Sequence, residues 1–152
     1  MQGTCPDEAA ARANVCAIAA TWIGTPYHDH GEVKGAGCDC ATLLKCVFVE
    51  AGLLAPFDIG YYSPQHFLHQ SDEHYLGWLN KFGNEIGEAE AKPGDVVLYK
   101  AGLCFCHGAL IMEPGWPAIV HAHFAARVTR RGSGLNPKLG LPVQDIKFFS
   151  LF

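Results

Sequence analysis

GAGCDCATLL, residues 35–44, sets Cys38 and Cys40 one residue apart at the threshold of an apolar run. From Cys40 onward the apolar positions 40, 43, 44, 47, 48 and 51 follow the 3.6-residue period, and Gly52 closes the pattern. The spacing predicts a buried helix over 40–51, with Asp39 where a cap or first-turn acid belongs. The preceding stretch, residues 24–37, holds four glycines and a proline and reads as loop. Cys40 is then the first residue of a helix, facing unpaired N–H groups and the positive end of the macrodipole. Both favour thiolate, the reactive form. Cys38 in the loop and Cys46 inside the helix lack that placement. Placement alone weighs equally for a second reading, in which Cys40 is a small buried side chain. That bland role is the one expected of Cys16 and Cys46.

Outward from this helix, Thr4-Cys5-Pro6-Asp7-Glu8 reads as another helix start, with two acids where exposed N–H groups welcome them. This helix runs to about Trp22, presents Val15, Ile18, Ala19 and Trp22 on one face, and stops at Gly24. Phe57 to Tyr62 is aromatic loop, Ser63-Pro64 opens a short helical piece, and Asp72 to Phe82 reads as a further helix. After Lys92-Pro93-Gly94-Asp95 the texture changes to short apolar runs broken by turn residues. Val96–Tyr99, Phe105–Met112, Ala118–His123 and Ala126–Thr129 are expected to be antiparallel strands, with Ile146–Leu151 closing or edging the sheet. Helices first and meander second make the class α+β.

One core suffices for 152 residues, so residues 1–152 are expected to form a single domain. Apolar residues are 49% and charged residues 17%, which excludes a disordered chain. A net charge of −4, with no basic run longer than Arg130-Arg131, argues against nucleic acid as a partner. No window approaches a membrane span, and the first residues lack the pattern of a secretory leader. Synthesis in the cytoplasm is the expectation, with most of the seven cysteines reduced.

A thiolate catalyst needs an imidazole to carry the proton and a third group to hold its tautomer. His107, in FCHGALIM, and His121, in AIVHAH, fall on adjacent expected strands, with His123 two residues further on the same face. Zinc is the rival reading: Cys38-x-Cys40 and Cys104-x-Cys106-His107, with His28 and His30 nearby, supply ligands. Structural zinc sites usually place two to four residues between paired cysteines, against one here. A redox C-x-x-C is absent.

Gly37-Cys38-Asp39-Cys40-Ala41-Thr42-Leu43-Leu44, Lys92-Pro93-Gly94-Asp95-Val96-Val97, His107-Gly108-Ala109-Leu110-Ile111 and Ile119-Val120-His121-Ala122 occur in this order. Together they resemble the NlpC-type cysteine peptidases, papain-like cell-wall endopeptidases of bacteria and phages, over about residues 14–130. The resemblance implies a papain-like core with a sheet of about five strands. It casts Cys40 as nucleophile, His107 as base, His121 (or, in its place, His123) as orienter, and Tyr27 of Pro26-Tyr27 as a helper at the oxyanion. It implies no cofactor or metal, and hydrolysis of a peptidoglycan stem peptide, typically between D-glutamate and the diamino acid. A leaderless single domain resembles phage- or prophage-tail forms, so tail proteins are expected partners and the cell wall the place of action, with the protein as a virion component. A silent tail-assembly protein of the same fold, or another papain-like amidase or acyltransferase, are the alternatives. Ala41-Thr42 departs from the family's usual Ser-Gly. The turn Met112–Pro117, enlarged relative to the family, places Trp116 beside the expected histidine strands. Trp116 and the loop from Phe57 to Tyr62 are read either as cleft walls or as core caps.

Overall fold

The structure, a computed structural model, describes residues 6–60, 62 and 73–152. Thr4 and Cys5 of the expected helix start, the helical piece from Ser63-Pro64, and Asp72 lie outside the described residues. Among the described residues three α-helices, α1 (Pro6–Thr21), α2 (Cys40–Glu50) and α3 (His74–Phe82), precede the body of a six-stranded sheet. Its strands are β3 (Asn84–Ile86), β4 (Val96–Ala101), β5 (Cys104–Ile111), β6 (Ala118–His123), β7 (Val128–Ser133) and β8 (Asp145–Ser150), in the spatial order β3-β8-β4-β5-β6-β7. Every pair of neighbouring strands in it is antiparallel. The α+β class stands, with six strands in place of about five.

The alternation of each strand sorts its side chains onto two faces. Val96, Leu98, Leu110, Val120 and Ala122 pack under the helices against Val15, Ala19, Trp22, Leu43, Leu44, Val47 and Phe48. Val97, Tyr99, Ala109, Ile111, Ile119 and Phe148 form a second, smaller core on the opposite face. Trp116 belongs to that second core, edge-on to Phe148 at 5.1 Å and donating its indole N–H to Glu88 at 2.9 Å. It is therefore a core cap and not a wall of any cleft near Cys40.

Three local expectations change. The glycine-rich stretch 24–37 is not all loop: β1 (Glu32–Val33) and β2 (Gly37–Cys38) pair within and beside it. Its glycines permit the close approach, since a Cβ on Gly31 would lie 2.6 Å from the Gly37 carbonyl oxygen. The strand expected over 126–129 instead spans Val128–Ser133, because Thr129 is buried while Arg130 and Arg131 continue the ladder with exposed side chains. The last strand does not edge the sheet. β8 lies between β3 and β4, burying Phe148 and Phe149 on opposite faces. Cys16 and Cys46 also differ from expectation, as both are half-buried, their thiols directed at the Ile111 and Glu32 carbonyls.

Candidate active site

Asp39 fixes the start of α2. One carboxylate oxygen accepts the N–H of Ala41 at 2.9 Å and of Thr42 at 2.8 Å. The other accepts the His30 N–H at 2.9 Å and the Tyr62 hydroxyl. Thr42 returns the favour, its hydroxyl oxygen accepting the Asp39 N–H at 2.8 Å, which completes a capping box. The Thr42 that departs from the family pattern is thus what locks the helix start. A buried carboxylate is tolerable here because every side of it is hydrogen-bonded.

The cap delivers Cys40 to β5. The Cys40 thiol donates to the Cys106 carbonyl at 3.5 Å, and the Gly108 N–H also bears on the sulfur. Those two backbone groups flank His107. They are open to the thiol because Cys106 is bulged out of the β4–β5 register and the β5–β6 ladder extends only over Leu110–Val120 and Ile111–Ile119. From the other side the Tyr75 hydroxyl donates to the Cys40 carbonyl at 2.7 Å. Glu73 ties the start of α3 to β5 by accepting the Phe105 N–H at 3.0 Å. Gly108 makes room: a Cβ there would stand 2.2 Å from the Tyr75 hydroxyl oxygen and 3.0 Å from Leu44 Cδ1.

His107 and His121 meet, His107 Nε2 lying 2.8 Å from His121 Nδ1. This leaves His107 Nδ1 as the ring nitrogen free of that contact. His123, the substitute orienter, is engaged elsewhere. Its Nδ1 accepts the Ala126 N–H at 3.0 Å and its Nε2 donates to the Lys138 carbonyl at 2.8 Å. Its ring touches that of His121 edge-on, at 5.0 Å between centroids. Tyr27 is bracketed against Cys38, the Cys38 N–H donating to the Pro26 carbonyl and the His28 N–H to the Cys38 carbonyl. The structure thus brings His107 and His121 into contact and lays the Cys40 thiol against the backbone on either side of His107, with Tyr27 close enough for Cys40 to influence its phenol.

Charge in this cluster is suppressed. Burial pushes the Cys40 thiol well above its usual range, reinforced by the Asp39 carboxylate and Cys106; the N–H groups of Gly108 and Cys40 oppose this and lose. Thiolate favoured by the helix end was the expectation, and burial reverses its sign in the resting protein. Burial likewise holds His107 well below the usual imidazole range, with His121 and His123 adding to the effect. His121 falls to about 3 through burial, His123 and Arg130. Tyr27 stays a phenol, raised by burial and then by Cys40 and Asp39, and so remains a hydrogen-bond donor.

The other cysteines of the zinc reading have separate partners. Cys38 shares a hydrogen bond with the Thr129 hydroxyl at 3.1 Å, and Cys106 donates to the Ala101 carbonyl at 3.5 Å. Among the described residues no three His, Cys, Asp or Glu side chains converge as metal ligands, and no helix is long and apolar enough to cross a membrane. Phe57, the other proposed wall, lines a cavity of about 540 Å³ with His30, Thr42 and Lys45, which is not lined by Cys40, His107 or His121. Tyr62 and Tyr75 are the residues that sequence reading missed. Each acts through a hydroxyl whose partner lies 23 and 35 positions away respectively, beyond any local pattern.

No protein-family model matches the chain, and no curated protein does. Solved structures do. The NlpC/p60 domain of the peptidoglycan hydrolase SagA matches with a TM-score of 0.61 at 22% identity, over 91% of this chain and 97% of that one. NlpC2 from Trichomonas vaginalis matches with 0.64 at 13% identity, over 90% of this chain and 46% of that one. The peptidoglycan hydrolase RipB from Mycobacterium tuberculosis matches with 0.62 at 19% identity, over 95% of this chain and 66% of that one. At these identities the likeness is one of architecture, and in architecture the chain has the NlpC/p60 fold.

Proposed function

We propose that the protein is a cysteine peptidase that cleaves an amide in the peptide stem of peptidoglycan, at the bond between D-glutamate and the diamino acid. The observation that carries the reading is the 2.8 Å contact of His107 with His121 beside a thiol laid against the backbone on both sides of His107. Two of the matched structures are named as peptidoglycan hydrolases, which supports the substrate class.

In this mechanism His107 carries its proton on Nε2 and donates it to His121 Nδ1, which leaves Nδ1 of His107 as the base. The resting site is neutral, so the thiol proton moves to His107 as sulfur attacks the carbonyl. The imidazolium formed is stabilised by His121, which accepts its Nε2–H. The tetrahedral oxyanion is met by the Cys40 N–H and the Tyr27 hydroxyl, each good donor contributing roughly 3–4 kcal/mol. His107 then protonates the leaving amine, and water, activated by the same imidazole, frees the thioester.

Cys40→Ala is expected to lower hydrolysis of defined muropeptides by about 10⁴-fold or more, with an unchanged circular dichroism spectrum. Wild-type turnover by the variant would end the reading, and mass spectrometry of the products identifies the bond. The resemblance to tail-associated forms extends the proposal to delivery by a phage particle, for which the test is detection of the chain in purified particles.

A further inference from the structure

The stretch between Glu113 and Asp145 contains no Asp or Glu, yet carries Arg127, Arg130, Arg131 and Lys138 in a chain of net charge −4. Arg12, Lys34, Lys45 and Lys147 are each paired with a carboxylate, whereas among the described residues Arg127 is not. Arg127 sits in the β6–β7 turn, where its carbonyl accepts the Tyr27 N–H at 3.0 Å. The ring of Phe124, in the same turn, is edge-on to Tyr27 at 5.3 Å. The Arg127 guanidinium lies over the Phe124 ring at 5.4 Å. A continuous file of side chains therefore leads from Tyr27, which feels Cys40, out to a cation at the surface.

Two features mark this turn as more than a connection. Phe124 is 57% exposed, a large apolar surface left in water beside the candidate site. Arg127 has φ 60°, a left-handed conformation that a glycine or asparagine would adopt more cheaply. A long cationic side chain occupies a position where backbone economy favours another residue.

We propose that Phe124 and Arg127 form a subsite for a free carboxylate of the substrate peptide. The guanidinium pairs with the carboxylate, and the exposed ring covers the aliphatic carbons next to it. The proposal rests on the peptidase reading and narrows it: the preferred substrate is an anionic peptide whose carboxylate flanks the scissile amide, and amidation of that carboxylate weakens recognition. A bare arginine at the rim suits this role better than a lysine, since its planar fork matches a carboxylate with two hydrogen bonds.

The test compares a synthetic stem peptide bearing free α-carboxylates with the same peptide amidated at those positions. Arg127→Gln is expected to lower kcat/KM for the free peptide by about tenfold, the scale of one charge-assisted contact, while the amidated peptide changes less than about twofold. Arg127→Lys recovers part of the preference, and Phe124→Ala weakens both peptides through KM. Arg131→Gln, which removes an equal charge from β7 outside the turn, leaves the preference intact. Equal losses for both peptides in Arg127→Gln, or the same loss in Arg131→Gln, would overturn the subsite in favour of a general field. Calorimetric binding of both peptides to Cys40→Ala separates the two levels. Discrimination there, lost on adding Arg127→Gln, upholds the subsite even if the wild type hydrolyses neither peptide. Hydrolysis by the wild type with no discrimination in either assay upholds the peptidase and removes the subsite.

Discussion

The two halves of β5 are built from one continuous strand and behave differently. Leu110 and Ile111 are zipped to β6, fully buried, and part of the two cores. Cys104, Phe105, His107 and Gly108 keep their pairing to β4, Cys106 is bulged out of that register, and none of the five pairs with β6. Backbone groups withheld from the ladder in the second half are those that receive the Cys40 thiol. A fully paired strand would have spent them on β6, because a buried carbonyl or N–H must bond to something. The lesson is that this site is made by leaving a ladder unfinished, and the helix end fills the gap.

Breaking the histidine contact across that gap is the strongest challenge to the comparison. His107→Ala is expected to reduce muropeptide turnover by about 10³–10⁴-fold, and His121→Ala by about 10²-fold, since orientation contributes less than proton transfer itself. Equal losses in steady-state assays would show that His121 does more than orient. The neutral histidines also set an acid limb. His121 has its imidazole lowered from 6.5 to about 3 on folding, so between these values the unfolded chain binds the extra proton. Stability is then present above pH 6.5 and lost as pH falls towards 3, by on the order of a few kcal/mol. Urea titrations across that window should show a flatter limb for His121→Gln, and an identical limb would sink the assignment.

Gly108→Ala tests the crowding at the open half. A methyl group there collides with the Tyr75 hydroxyl, and a loss of about 1–3 kcal/mol is expected, read as a thermal shift of several degrees. Ala109→Gly, in the next position and on the other face, serves as the comparison because it removes bulk without touching Tyr75. The smallest effect belongs to Thr42→Ala, which opens one side of the capping box. It should cost about 1 kcal/mol in a denaturant titration, and Thr42→Ser should restore most of it.

Much of α2 was legible because its signals are local: an acid before a 3.6-residue apolar period, and a glycine after it. The Asp39 cap follows from that pattern, but the partner role of Thr42 did not, since a capping box is usually sought with glutamate or glutamine at the third position. The strand pattern after Asp95 gave the meander, and the even spacing of His121 and His123 placed them on one face. What decides between them is long-range: the Lys138 carbonyl and Ala126 N–H claim His123, and neither is visible as a period. Strand order escaped for the same reason, as nothing in DIKFFS says that it will sit between β3 and β4. The direction of the Cys40 shift was misjudged because a helix end is readable in sequence and the depth of burial is not.

The uncharged resting state has a consequence for survival in air. The thiolate, and not the thiol, attacks peroxides and disulfides, at rates that follow how much of it is present. In the proposed mechanism, a sulfur that surrenders its proton only when a carbonyl is docked reacts slowly with oxidants between turnovers. The burial that raises the Cys40 thiol above its usual range is, on that mechanism, also a shelter from oxidants.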